Sequence, residues 1–431
     1  MNTEKIKCDI AVLGGGAAGV MAAISAARLE AKVILVEAQG CLGGTRTAGA
    51  VDTFYGFYTP EKAPRCIVGG LAWETVEALK SENACFERQN TYGAGTGITY
   101  DVETLKRVWE NKVLDAGVSV LFHSTVIDAE CSNSGGIKKN IKSVRLAAKG
   151  KVISLKASLY IDTTGDADVI YCAGGQFVPL MKDETLQSLT TIFFIGNVDT
   201  DRALKVKHEE ILMQMKEAKE CGKYDLPRLD GSFHRTLYPG VLQANMVRVT
   251  NIDATDPWQL SYAEMEGRRQ AKLYTDFLKD YIDGFENSYC INTAQHIGVR
   301  ETRRVLGQYI LSEDDVKGAI KFKDAIACCA APVEEHHAGS STRWVYVGGD
   351  GIYQIPYRSL LPVGLSNIAV AGRCLSATHG AQASARNTAQ VMAMGQAAGT
   401  AGAIALKKGI TYEEVPFNEL RSCLMEGGCI L

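Results

Sequence analysis

Apolar residues along this chain recur in one order: a short continuous run, a glycine-rich or polar break, then a stretch with helical spacing. The first case is DIAVLGGGAAGVMAAISAARLEAKVILVEA, residues 9–38. Residues 10–13 read as a buried strand, the glycines as a turn, residues 20–29 as an alanine-rich helix and residues 33–36 as a second strand. Together they predict a βαβ unit of about thirty residues. Further on, VETLKRVWENKVLDAG sets Val102, Leu105, Val108, Val113 and Leu114 at helical spacing, stops at Gly117 and leads into a strand over 118–122. Alternating runs broken by SNSGG and AKGK predict a small antiparallel β-meander over about 126–159. The strand-like LTTIFFIG then opens a segment with two helical patterns, DTDRALKVKHEEILMQMKEAKE and SYAEMEGRRQAKLYTDFLKDYIDG. Ser261 and Glu264 stand in capping-box spacing in the second. A short strand ending at Ala371, a Gly-Arg pair and a long small-residue helix complete the pattern.

The first turn carries candidate chemistry. In GGGAAG, Gly14 permits the turn, Gly16 lets the backbone approach a pyrophosphate, and Gly19 lets helix and strand pack closely. The N-terminus of the helix that follows presents unpaired N–H groups to the anion, with Ala17 and Ala18 between the turn and that helix as further candidate cofactor contacts. Glu37, eighteen positions after Gly19, is placed to accept from a ribose 2′-hydroxyl, which argues against a 2′-phosphate there. A dinucleotide site follows, and composition agrees. The chain has 431 residues, 46% of them hydrophobic, enough for two or three compact units. Its formal charge of −3 offers no global attraction to nucleic acid or anionic membrane. MNTEKIKCD lacks signal-peptide order, and no uninterrupted apolar run reaches about eighteen residues. Thirteen cysteines without C-x-x-C spacing suit a reducing compartment, and the adjacent Cys328 and Cys329 read as small buried hydrophobes. The expectation is a cytoplasmic protein with a small-molecule substrate, no nucleic-acid or membrane partner and no metal site.

Three later stretches bear on which dinucleotide is bound. GCLGGTRTAGAV, residues 40–51, places a second glycine pair directly after Glu37. ASLYIDTTGDADVIYCAG has a strand end and then a turn at Thr163, Thr164 and Gly165. LSNIAVAGRCLSATHGAQASARNTAQVMAMGQAAGTAGAIAL repeats the strand, turn and helix order. Each implies another close approach to one extended ligand. On these stretches, and on DVETLKRVWENKVLDAGVSVLFHSTV and RETRRVLGQYILSEDDV, the chain resembles the two-dinucleotide-binding-domain flavoproteins. Within them it is similar to the FAD-dependent oxidoreductase family, relatives of fumarate reductase flavoproteins, over most of its length.

The resemblance implies an α/β fold: a Rossmann-like FAD-binding domain with an attached antiparallel β-meander and an inserted α+β substrate or cap domain. The corresponding spans are 1–185, 186–340 for the cap, and 341–431 for the return to the FAD domain. It implies FAD with its pyrophosphate over residues 14–19 and its ribose at Glu37. Gly43, Gly44, Thr45 and Arg46 would follow the pyrophosphate and ribityl chain, with Val126 at the adenine and Thr164 and Gly165 behind it. Gly372 and Arg373 would meet the pyrophosphate or ribityl chain. A helix starting near Ser384 would aim its positive end at the flavin pyrimidine, where a reduced ring carries negative charge. Residues 45–51 contain neither the redox cysteines of disulfide reductases nor the histidine tether of succinate dehydrogenase relatives, so noncovalent FAD is expected, with Cys41 a packed thiol.

Substrate chemistry has four candidates. Arg386 would hold a carboxylate or enolate oxygen or support the flavin, or else form a surface ion pair. His379 would act as acid or base, or hydrogen-bond its own loop. His336 faces the pocket or forms a solvated pair with His337. Arg303 competes with Arg300 and Arg304 for one inward position, with Glu301 a partner. The function this predicts is hydride transfer between a small anionic or oxygen-rich substrate and flavin N5, by a dehydrogenase or an enoate-type reductase. The electron donor or acceptor stays open. A flavin monooxygenase is the alternative, although no distinct NADPH module is readable. An RNA-modifying flavoprotein is a further one, although RETRRV is too short to build a basic groove.

Overall fold

The computed structural model describes residues 3–89, 93–132, 138–181, 184–336 and 342–431; His337 lies outside them. A seven-stranded sheet forms the centre. Thr3–Leu13 pairs in parallel with Val33–Val36, which pairs in parallel with Ser119–Leu121. On its other side Thr3–Leu13 pairs with Lys151–Asp162, and Ile368–Val370 lies beyond. Residues 10–13 are fully buried, as expected of a parallel sheet covered on both faces.

Lys151–Asp162 changes character along its length. Ile153, Leu155 and Ala157 face inward while Lys156 and Ser158 face out; residues 159–162 are then all buried. The alternating half pairs antiparallel with Ile141–Ala148, which pairs with Ser124–Cys131, and the continuous half runs beside Ile368–Val370. One strand thus carries both the meander and the nucleotide sheet, and the fold is the Rossmann-like α/β arrangement with its antiparallel attachment.

The helix Ala17–Arg28 covers this sheet together with Thr388–Lys408. A Cβ on Gly395 would lie 2.1 Å from the Ala18 carbonyl oxygen, and one on Gly399 2.1 Å from that of Ala22. The small residues of both helices therefore permit backbone contact that larger side chains would prevent.

A second hydrophobic core surrounds Phe193, Met215, Tyr274 and Phe277. It is built on an antiparallel sheet ordered Ser232–Arg235, Leu242–Asn245, Phe193–Gly196 and Tyr289–Thr293, with the helix Pro257–Tyr281 against it. That helix starts earlier than its capping-box spacing suggests. Asp256 accepts from the N–H groups of Trp258 and Gln259, and proline suits the first helical position. Ser261 is consequently interior and donates to the Pro257 carbonyl at 2.7 Å; Glu264 accepts from the Ile297 N–H at 2.7 Å. The first cap pattern divides into Thr200–Ala203 and His208–Glu220.

The second core ends at Ile297, whereas Leu311, Val316, Ile326, Val333 and Tyr353 pack into the first. The cap packing is therefore shorter than the 186–340 span, because strands Ala325–Cys329 and Val333–His336 turn back onto the nucleotide domain. All thirteen cysteines are free, with Cys328 and Cys329 both buried. Among the described residues no helix is long and apolar enough to cross a membrane.

Candidate active site

One cavity of about 810 Å³ extends from Glu37 and Val126, past the glycine turn, to the cap strands. Its nucleotide end follows from the backbone. Gly14 has φ +103°, and a Cβ there would sit 2.4 Å from the Thr163 carbonyl oxygen; at Gly19 it would sit 1.8 Å from that of Gly14. Gly16 differs: its φ is −67°, and a Cβ would meet nothing within 4 Å. Protein packing requires glycine at 14 and 19, whereas the space before Gly16 fits a ligand that needs bare backbone. Gly16, Ala17 and Ala18 line that space at the start of the first helix, where unpaired N–H groups favour a phosphate.

Glu37 is buried against the same turn. One carboxylate oxygen accepts from the Gly15 N–H and the other from the Gln39 N–H, both at 2.7 Å, leaving further acceptor capacity for ribose hydroxyls. The Gly43 N–H donates to the Gly15 carbonyl at 2.7 Å and holds the second glycine pair over the first turn. Thr45 and Arg46 continue that wall, and Val126, Thr164, Gly165 and Gly372 complete it. Arg373 clasps the cradle to the segment before Arg300, donating to the carbonyls of Gly165 (3.1 Å) and Val299 (3.0 Å) and to Asp166 (2.5 Å). These residues suit a dinucleotide, and none of the described residues forms a metal cluster.

The other end of the cavity is rich in guanidinium. Arg46 donates to the Thr53 carbonyl at 3.1 Å, and Arg88 to the Tyr55 hydroxyl at 3.1 Å. Arg300 donates to the Ser188 carbonyl at 2.6 Å, and Arg386 to Gln187 Oε1 at 3.1 Å. Burial disfavours the charge on Arg46, Arg300 and Arg386, and Arg386 adds to the effect on Arg300. Asp52 and Glu334 share this wall, yet among the described residues no carboxylate lies within 4.0 Å of any of these four side chains. Arg386 Nε is buried without a hydrogen-bond partner.

Two histidines of this wall sit beside carboxylates. His336 Nε2 lies 3.2 Å from Glu334 Oε1, and its Nδ1 lies 3.3 Å from Thr342 Oγ1. Burial and the charge of Arg300 push His336 down to about 3, so it is neutral at physiological pH. Glu334, against its burial, is held down at about 2 by His336, Arg386 and Arg300. His234 Nε2 lies 2.9 Å from Asp52 Oδ1, joining the cap sheet to the loop beyond Arg46. No sequence pattern links positions 182 residues apart, so this pair was missed. Tyr55, Arg88, Glu334 and the inward choice of Arg300 were likewise not singled out.

Arg303, His379 and Ser384 do not line the cavity. Arg303 donates to the Asp166 carbonyl and to Asp168, and lies 4.1 Å over the Tyr171 ring. Arg304 is buried against Glu301. Ser384 donates to the Ala331 carbonyl at 2.6 Å inside the core. The helix His379–Ala385 ends there, and the one directed at the cavity is Thr388–Lys408, because Asn387 resets the backbone to an extended conformation. Cys41 is buried near Thr47, and burial raises its thiol.

His379 lies 2.8 Å from Glu301 and 3.9 Å from Glu335. Burial opposes its charge, but these carboxylates raise its pKa overall. Its stabilisation is therefore complete below histidine's ordinary value of about 6.5 and is lost as pH rises through the raised one. His336 acts in the other window: below about 6.5 the unfolded chain takes a proton that the fold refuses, so stability falls with acid. Unfolding midpoints measured across pH should peak between these limbs. His336→Gln should make the acid limb shallower, and His379→Gln the alkaline one.

A family model described as FAD dependent oxidoreductase matches residues 9–424. A curated relative, dihydrolipoyl dehydrogenase of Trypanosoma brucei brucei, is 31% identical over 159 residues. That match covers 36% of this chain and 30% of the relative, less than a third of its length. Among solved structures, a geranylgeranyl bacteriochlorophyll reductase-like protein of Thermoplasma acidophilum aligns with a TM-score of 0.47 at 12% identity, over 100% of this chain and 85% of the other. p-Nitrophenol 4-monooxygenase of Pseudomonas putida DLL-E4 aligns with a TM-score of 0.48 at 10% identity, over 99% and 87%. Because the family match runs from the first strand of the nucleotide cradle through the cap to the last helix, this chain belongs to the FAD dependent oxidoreductase family, and FAD is its cofactor.

Proposed function

We propose that this oxidoreductase transfers a hydride between a carbon of a small anionic, oxygen-rich substrate and FAD, and that FAD is held noncovalently by the glycine cradle, Glu37 and Val126. The observation that carries the substrate class is the group Arg46, Arg88, Arg300 and Arg386 on one cavity wall, without a carboxylate in ion-pair reach among the described residues. Partly buried guanidiniums of this kind favour an incoming carboxylate, which satisfies donors and offsets mutual repulsion. Arg386 and Arg300 fix the anion, and Arg46 and Arg88 border it where the loop leaves the cradle. Bound FAD supplies two-electron acceptance or donation at N5. A dehydrogenase would run the same chemistry in reverse.

Anaerobic titration of the FAD-loaded protein tests it. A 2-hydroxy acid should bleach the flavin, or an enoate should reoxidise enzyme reduced with dithionite. With the carboxylate that turns over, Arg386→Ala should lose about tenfold to a hundredfold in kcat/KM, the range for a hydrogen bond to a charged group. The matching neutral amide should be affected far less. Equal losses for acid and amide would count against the anion site.

A further inference from the structure

We infer that His234, oriented by Asp52, is the residue that takes and returns the substrate proton. The inference rests on the hydride-transfer reading above and extends it to the accompanying proton. A substrate that loses hydride from a C–OH carbon must also lose its hydroxyl proton, and the reverse reaction must give one back. Four histidines, His208, His234, His296 and His336, line the cavity. His336 is held on both nitrogens and stays neutral. His296 Nδ1 lies 3.0 Å from the Ile297 carbonyl oxygen, and His208 starts a cap helix, where burial lowers its basicity.

His234 has the arrangement proton transfer needs. Asp52, 1% exposed, accepts Nε2–H at 2.9 Å, and Nδ1 has no hydrogen bond to another described residue. A carboxylate on one ring nitrogen selects the tautomer whose other nitrogen carries a lone pair, and it stabilises the ring once protonated. Asp52 is itself held in place: Thr53 Oγ1 donates to it at 3.2 Å, and its carbonyl accepts from the Tyr100 N–H at 2.8 Å. The charged and titratable groups facing the pair are Arg46, Tyr55 and Tyr100 on the cradle side. His234 comes from the cap strand Ser232–Arg235, so the pair forms only where cap and nucleotide domain meet.

In the oxidising direction His234 Nδ1 would take the substrate O–H proton while the C–H electron pair leaves as hydride and a C=O bond forms; bound FAD would supply the two-electron acceptor. The reverse direction returns the same proton and hydride. His234 is the catalytic residue of this step, and Asp52 is a positioning residue.

The test is two-bond ¹H–¹⁵N NMR of the FAD-loaded protein carrying ¹⁵N-histidine, with the His234 signals assigned by their loss in His234→Gln. The expected spectrum is an Nε2–H tautomer that becomes mixed in Asp52→Asn. With the carboxylate that turns over, His234→Gln should slow flavin reduction by about 10²- to 10⁴-fold, the usual share of a general base, while FAD content and reduction by dithionite stay unchanged. An Nδ1–H tautomer, or parental rates in His234→Gln, would overturn the assignment. If no carboxylate turns over, the preceding proposal fails by itself, and the NMR result still decides the state of the pair.

Discussion

A Gly16→Val chain is expected to fold and to bind FAD at least about a hundredfold more weakly, a loss of ~3 kcal/mol. The backbone at Gly16 has ordinary extended angles, so valine introduces no strain. A Cβ there meets no protein atom within 4 Å, so the packing around this residue does not itself demand glycine. The space it takes belongs to the cavity at the start of the first helix, where the proposed FAD site would place the pyrophosphate against unpaired N–H groups. Gly19→Val should behave in the opposite way. Its Cβ would fall 1.8 Å from the Gly14 carbonyl and 2.7 Å from Thr163 Oγ1, forcing the helix off the sheet and lowering stability before any ligand is considered. Circular dichroism and flavin content, measured on both variants, separate the roles. A Gly16→Val chain that purifies with a full complement of FAD would show that the pyrophosphate does not pass that residue.

The contrast between these glycines marks how far the sequence could be read. Gly14, Gly16, Glu37, Gly43 and Gly44 were legible because strand, turn, helix and acidic residue are joined by local spacing, which one chain segment carries whole. Lys151–Asp162 was legible for the same reason, its alternation giving way to a continuous apolar run where it enters the parallel sheet. The guanidinium-rich end of the cavity was not legible in this way. Asp52 and His234 meet across 182 residues, and Glu334 joins Arg300 and Arg386 only through the fold. In VRETRRV the backbone is neither helix nor strand, so no period says which arginine turns inward: Arg300 faces the cavity, Arg303 an acidic helix start, and Arg304 the core. The break at Arg386 and Asn387 lay hidden within a run of small residues, although Asn before Thr was a helix-start signal.

Glu301→Ala should lower the free energy of unfolding by about 3–5 kcal/mol, the cost of stranding buried charge when one partner is removed. Glu301 is 1% exposed and joins three chain segments. Its carboxylate pairs with Arg304 Nε at 3.2 Å and His379 Nδ1 at 2.8 Å, and accepts from the Gln187 N–H at 3.2 Å. Arg304 still has the Ala377 carbonyl at 3.1 Å and Glu184 at 3.4 Å, but no described contact replaces the carboxylate at its Nε. Gln187 also receives Arg386, so the loss should reach the substrate wall and weaken carboxylate binding as well as folding. If stranded charge is the cause, removing the arginine too should recover stability, because apolar replacement of a whole buried pair is often neutral or favourable. Glu301→Leu with Arg304→Met should therefore unfold at a higher denaturant midpoint than Glu301→Ala. A double variant no more stable than the single one would assign the loss to packing and hydrogen bonding of the Gln187 segment, not to charge.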